Sequence, residues 1–401
     1  MHREQRTVIK KTRFYPAPPI DHVTLYSGRP FGSHSNSNTL ILSYGKRNMK
    51  EKARNFFYKL ATTPSPSGYE ERIQRVVRAY VKDFADSVST DVHGNVVAAR
   101  NPDAPFRVMF AGHCDQLGLV VNYIDPDGFI YVLPLGGWDP QTLVGVHVTV
   151  WAKNGPIEGI IGRKAIHLLS EDERKRVPKI TDLWIDIGAS SRAEVEETVR
   201  VGDCCTIPLE YRELLNERIT APATDDKAGL WVIMEALRRI DASKLKVGVF
   251  AVSTVQEEVG LRGAKTSSFG VDPNVGIAVD VTHATDTPTV EKKVCGEILL
   301  GNGPVIGKGP NMNMRLVDQL LDVAQTNEIP YQLAAENRIT GTDAAVIQVS
   351  RSGIATGLIS IPNRYMHTPV EIVSWKDMNA AADLLARYCE SITPDESYIP
   401  E

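Results

Sequence analysis

The chain contains no run of eighteen or more apolar residues, so no membrane-spanning helix is expected. Cysteine is sparse. Cys114, Cys204, Cys205, Cys295 and Cys389 are odd in number, scattered, and form no Cys-x-x-Cys pair. That fits a reducing compartment, taken as the cytoplasm, better than a disulfide framework. An excess of charge of one sign is also missing. Lys and Arg total 45 against 49 Asp and Glu, a net charge of −4, which gives no global case for a nucleic-acid partner. Repeats of solenoid length are absent. What remains is a chain of 401 residues, 42% hydrophobic and 23% charged, the composition of a globular protein with one large domain or two smaller ones.

Residues 1–50 differ from the rest. They are basic, poor in acids and without sustained periodicity, and Gly32-Ser33-His34-Ser35-Asn36-Ser37-Asn38 resembles a flexible linker. A disordered extension upstream of a natural start at Met49 is expected, with a transit peptide as the competing account. Ser67-Gly68-Tyr69-Glu70 has the form of a capping box, followed by Ile73, Val76, Val77, Tyr80, Val81 and Phe84 at helical spacing. Val96–Ala99 and Arg107–Ala111 read as strands. Leu119–Val132 reads as a hairpin around Asp125-Pro126-Asp127-Gly128. Residues 121–218 change character: short β-like runs alternate with charged loops, Glu171–Arg176 is a solvated charge run, and one helix is expected near Arg192–Val199. After Thr220, helices (Ala228–Arg239, Asn313–Thr326, Asp343–Val349, Asp377–Cys389) alternate with apolar strands (Lys246–Val252, Val275–Val281, Ala355–Ile361). The expected fold is α/β: a mixed, largely parallel sheet flanked by helices, with a small β-rich domain inserted. Residues 51–120 and 219–392 would form the main domain, 121–218 the insert and 393–401 a tail.

The chemistry centres on Glu257 and Glu258, which directly follow the apolar run Val247–Val252. Two carboxylates at the mouth of a buried strand repel each other and lose hydration, a conflict that a cation or a division of roles would relieve. His113-Cys114-Asp115 follows another strand. On an extended chain His113 and Asp115 face one way, so the carboxylate can orient a metal-bound imidazole; a buried His with a structural Asp is the plainer account. Asp225-Asp226 opens a predicted helix, where one Asp is explained as a cap. Asp280 ends a strand, where acids line the crevice of α/β sheets, or merely start a turn. His367 lies in a loop, where a histidine is usually a surface or packing residue. Taken together, imidazoles and carboxylates suit Zn, Co or Mn. Two ions with a bridging carboxylate could bind a shared water, and a spare carboxylate could carry its proton.

Several motifs occur in one order: Pro66-Ser67-Gly68-Tyr69-Glu70, Gly112-His113-Cys114-Asp115-Gln116-Leu117-Gly118, Asp225-Asp226-Lys227-Ala228-Gly229, Val255-Gln256-Glu257-Glu258-Val259-Gly260, Asp280-Val281-Thr282, Gly341-Thr342-Asp343-Ala344, and Arg364 to Glu371. Through them the chain, over about residues 50–392, resembles the dinuclear metallo-aminopeptidases that include glutamyl aminopeptidase and the tetrahedral aminopeptidases, some of them labelled endoglucanase. The resemblance implies a zinc-peptidase-like catalytic domain that takes short peptides. It implies two divalent metal ions per subunit, zinc first and cobalt or manganese next. His113 would bind one ion and His367 the other, with Asp225 bridging. Glu258 and Asp280 would each complete one shell, Glu257 would be general base and acid, and Asp115 would orient His113. The inserted domain would mediate dimerisation, with dimers building to a dodecamer. Gln116 stands where the family often has Glu, and Cys114 where Met is more usual.

The competing functions are a metal-dependent deacylase, a glycosidase and a non-catalytic scaffold. Adjacent side chains on an extended segment point apart, which makes Glu257 and Glu258 an awkward pair for spanning a sugar bond. A complete ligand set argues against a scaffold.

Overall fold

A computed structural model of the chain describes residues 37–400, with side chains from Lys50 onward. Of the extension expected over residues 1–50, the part before Ser37 lies outside the described residues. From Ser37 the chain is helical, in Ser37–Thr62. No helix among the described residues is long and apolar enough to cross a membrane.

The chain first lays down β1 (Ser87–Thr90), β2 (Val96–Arg100) and β3 (Arg107–His113). It then closes a barrel from β4 (Gly118–Ile124), β5 (Ile130–Leu135), β6 (His147–Ala152), β7 (Gly155–Gly162), β8 (Trp184–Asp186) and β9 (Cys204–Thr206). β10 (Arg212–Leu214) and β11 (Arg218–Thr220) begin a small sheet. β12 (Gly248–Thr254), β13 (Val275–His283), β14 (Val305–Lys308), β15 (Gln332–Ala335) and β16 (Ala355–Asn363) return to the first sheet, and β17 (Ile372–Ser374) completes the small one. The main sheet has eight strands in the order β1-β2-β12-β3-β13-β16-β14-β15. Its centre, β12-β3-β13-β16, is parallel, while β1–β2, β2–β12 and β14–β16 are antiparallel. The fold is therefore the expected mixed α/β sheet with a separate small barrel.

β3 shows why the centre is parallel and covered. Val108, Met109, Phe110 and Ala111 are all fully buried, a continuous apolar run with no solvent face. Removing each large side chain of this kind from water contributes roughly 1.5–3 kcal/mol. The helix Thr224–Arg239 lies against this strand, and Gly112 permits the approach: a Cβ there would stand 2.9 Å from the Leu230 backbone nitrogen. The barrel has its own core, including Leu119, Val121, Ile130, Val132, Val148, Val150, Ile161 and Ile185.

Two local expectations are corrected. Ser67 and Glu70 do not form a capping box. The helix Glu71–Val81 has no side-chain cap, and Ser67 Oγ instead donates to Asp115 Oδ2 at 2.6 Å. A tertiary partner has taken the hydroxyl. A capping box does occur in the expected solvated run, where Glu173 N donates to Ser170 Oγ and Ser170 N to Glu173 Oε2 ahead of the helix Glu171–Arg174. The helix expected over Asp343–Val349 shortens to Ala344–Ile347.

Register sets the functional end of the sheet. Thr254 of β12 pairs with His113 of β3, and Ala278 of β13 pairs with Ala111. Asp280, two residues beyond Ala278, is therefore level with His113. His367 follows β16. All lie at the carboxyl ends of the parallel strands, where open α/β sheets bind ligands.

Candidate metal centre

Each acid and histidine is brought in by a separate element. His113 closes β3, and its Nδ1 lies 3.1 Å from the Asp115 backbone oxygen and 3.3 Å from Asp115 Oδ1. Nε2 is thereby left to face the site, as the i, i+2 spacing of His113 and Asp115 anticipates. Asp225 and Asp226 divide their roles. The first turn of the helix is irregular, with Asp225 at φ −80°, ψ 107° and Asp226 at φ −116°, ψ 39°. Asp226 is the cap, accepting from Gly229 N at 2.9 Å and from His113 N at 3.2 Å. Asp225 is free to point at the histidines.

Its two oxygens do so separately. Asp225 Oδ1 is 3.1 Å from His113 Nε2, and Oδ2 is 3.2 Å from His367 Nε2. Glu258 Oε1 lies 3.8 Å from His367 Nε2, and Glu257 Oε2 lies 3.9 Å from His113 Nε2. Two sets, His113–Glu257–Asp280 and His113–Asp225–Glu258, each hold donor atoms within 4.8 Å of one another. The expectation that Glu257 and Glu258 point apart is overturned. β12 ends at Thr254, Gln256 has a left-handed φ of 55°, and the pair lies in a turn rather than on an extended strand. Both carboxylates therefore reach one site. Asp115 holds that turn, accepting from Glu257 N on Oδ1 at 3.0 Å and from Glu258 N on Oδ2 at 3.2 Å. Glu70 continues the row by accepting from Gln256 N at 3.1 Å.

The charges are unbalanced. Burial drives Glu258 well above the usual carboxylate range and Glu257 up to about 11, and neighbouring acids add to both. Burial, then Asp225, lifts Asp280 to about 8. Asp225 goes the other way: burial opposes its ionisation, but the two histidines hold it well below the usual range. Burial also opposes a proton on His113, yet Glu257, Asp115 and Asp225 push it far up. Asp225, helped by Glu258, raises His367 to about 9 against its partial burial. Buried acids in this number need protons or cations. Glu258 Oε1 is buried and has no hydrogen-bond partner, an orphaned acceptor that a cation would satisfy. The imidazole and carboxylate donors suit a divalent ion such as Zn, Co or Mn.

Sequence reasoning left Glu371 without a role. It is buried, and its carboxylate accepts from His367 N at 2.9 Å, Asp225 N at 2.8 Å and Thr224 Oγ1 at 2.8 Å. Asp343 Oδ2 accepts from Thr254 Oγ1 at 2.6 Å behind the site. Gln116 Oε1 accepts from the buried Lys227 Nζ at 2.7 Å, and burial lowers that lysine to about 7. The only advance signal for Glu371 was its place in a motif.

Comparison with known proteins identifies the family. The family model described as M42 glutamyl aminopeptidase matches residues 94–384. The lysyl aminopeptidase of Pyrococcus furiosus is 39% identical over 340 residues, covering 84% of this chain and 96% of that protein. Among solved structures, a TET aminopeptidase from a marine sediment archaeon of the Thaumarchaeota superposes with a TM-score of 0.82 at 33% identity, covering 86% of this chain and 98% of that one. The TET1 peptidase of Pyrococcus horikoshii, described as assembling into a tetrahedron or a large octahedral shell, gives a TM-score of 0.75 at 30% identity over 85% of this chain and 100% of that one.

Proposed function

The chain belongs to the M42 glutamyl aminopeptidase family, and from that premise we propose that it is a two-metal aminopeptidase releasing N-terminal residues from short peptides. One observation carries the reading: the two oxygens of Asp225 each face a different histidine, at 3.1 and 3.2 Å. A carboxylate so placed suits a bridge between two ions. His113 and Asp280 would serve one ion, and His367 and Glu258 the other.

Bound divalent ions would supply an acidified water and a polarised carbonyl. The protein's own groups do the rest. Glu257 accepts the proton of the attacking water and delivers it to the leaving amine. Its burial keeps it protonated until cationic charge beside it draws its pKa down, which ties base strength to a filled site. Asp115 fixes the His113 ring and, through two backbone N–H groups, the turn that presents Glu257 and Glu258. With both glutamates in one turn, orientation no longer argues against sugar cleavage. The histidine-bearing donor set and the family supply that argument instead.

The test is Glu257→Gln, assayed on aminoacyl-anilides beside N-acetylated amino acids, with metal analysis of the same protein. Activity on the anilides should fall by about 10²–10⁴-fold while both ions stay bound. Full peptidase activity with both ions retained would remove Glu257 from this role. Preferential cleavage of the N-acetyl series would make the enzyme a deacylase. A cytoplasmic homo-oligomer is part of the same proposal. Ile166, Leu168 and Val177, between β7 and β8, are each exposed apolar residues of the inserted domain that such assembly could cover.

A further inference from the structure

Glu371 ties two separate elements of the site together through their backbones. One of its oxygens accepts from His367 N at 2.9 Å. The other accepts from Asp225 N at 2.8 Å and Thr224 Oγ1 at 2.8 Å, with Asn363 Nδ2 at 3.4 Å. Asp225 comes from the start of a helix, and His367 from a loop after β16. Their side chains meet at 3.2 Å. His367 sits at φ 62° and Tyr365 at φ 63°, a left-handed backbone that residues other than glycine adopt uncommonly. Hydrogen bonds between Arg364 and Ile372 close the loop at its base, but within the loop it is Glu371 that grips the backbone of His367. The carboxylate is only 2% exposed and is retained in the interior because donors surround it.

We propose that Glu371 is a positioning residue that holds His367 against Asp225 and thereby sets the affinity of the ion on the His367 side. The inference rests on the two-ion reading above. Its logic lies in the donors. In Glu371→Gln one carboxylate oxygen becomes an amide NH₂, which cannot accept from a backbone N–H. The remaining oxygen keeps the side with more donors, that of Asp225 and Thr224. His367 N then faces an NH₂, and the loop loosens while Asp225 stays in place. The ion on the His113 side is untouched. Changes to groups that orient metal ligands typically cost about 10–100-fold in metal affinity.

The experiment is a cobalt titration of metal-stripped wild type, Glu371→Gln, His367→Ala and Thr224→Val, read by visible absorption and chelator competition. Wild type should take up two ions, and His367→Ala one. Glu371→Gln should take up two, one of them weakened by about 10–100-fold, with kcat largely restored at saturating cobalt. Thr224→Val removes one donor and should weaken the same ion by only a few-fold. Wild-type affinity for both ions in Glu371→Gln overturns the inference, even where thermal stability falls. Should that variant not fold, unchanged affinity in Thr224→Val overturns it. Two tightly bound ions in His367→Ala would remove His367 from the two-ion reading, and the inference with it. A defect absent from Glu371→Gln but present in His367→Ala sinks the inference alone.

Discussion

His113 and His367 face the same carboxylate from opposite sides, yet they are held by different means. His113 ends a strand buried on both faces and is itself 2% exposed. The His367 side chain is 35% exposed. It lies in a loop with a left-handed backbone, and its Nδ1 reaches the Gly137 carbonyl oxygen at 2.9 Å. One half of the site takes its rigidity from the packing of the sheet, the other from a handful of hydrogen bonds. The first should fail by unfolding, the second by loosening while the fold survives. Each half can be challenged separately.

The largest effect is expected at Gly112, on the strand side. An added Cβ would meet the Leu230 nitrogen at 2.9 Å and the Gly229 carbonyl carbon at 3.0 Å. Both are backbone atoms of the helix that carries Asp225, so no rotamer change relieves the clash. Gly112→Ala should cost about 2–3 kcal/mol of stability in denaturant unfolding, and binding of both ions should weaken with it. Wild-type stability would break the claim that close packing holds this half.

The loop side should show itself in pH dependence once metal is removed. His367 is raised from 6.5 to about 9 in the folded protein. The folded state therefore binds its proton more tightly than the unfolded state. The resulting stability is fully present below pH 6.5 and is lost as pH rises through 9. Asp280 and Glu371, raised to about 8 and about 7 chiefly by burial, act in the same direction over the lower part of that window. Glu257, Glu258 and His113, all raised, act in it throughout. The buried Lys227, lowered to about 7, opposes them above pH 7 without matching their number. Asp225, held low, matters only in acid. Metal-free protein should thus become easier to unfold from pH 6.5 to 9. His367→Ala should flatten the slope by about 1 kcal/mol, a figure kept small because the ring is partly exposed and screened. Equal urea midpoints at the two pH values for metal-free wild type would contradict this.

The same division explains what could be read from the chain. Strand-borne features were legible because they follow local periodicity: the apolar run of β3, the shared direction of His113 and Asp115, and the acid Asp280 directly after an apolar run, although β13 continues past it to His283 and does not end there as expected. The sheet and the β-rich character of the insert were legible for the same reason, whereas closure of the insert into a barrel was not. The turn carrying Glu257 and Glu258 was misread as extended, because Gln256 takes a left-handed backbone that nothing local announces, and Asp115 and Glu70 hold it from afar. Ser67 was misread as a cap because the competing partner, Asp115, lies far away in sequence. Glu371 and Gly137 had no legible role at all. Their importance consists wholly of contacts to a loop histidine whose position only the fold defines.

Gly137 gives the smallest effect and the sharpest contrast with Gly112. A Cβ on Gly137 would lie 3.3 Å from His367 Nδ1 and 3.5 Å from Cε1, so it meets the edge of a side chain and not a backbone. The ring can yield by a few tenths of an ångström, and the carbonyl that accepts from it is unchanged. Gly137→Ala should therefore leave unfolding within about 0.5 kcal/mol of wild type. It should weaken only the ion on the His367 side, by less than about tenfold. The two glycine variants, measured side by side by denaturant unfolding and cobalt titration, set packing against hydrogen bonding at equal chemical cost of one methyl group. If Gly137→Ala destabilised the protein as much as Gly112→Ala, the loop would prove part of the rigid frame, and the two histidines would be held alike after all.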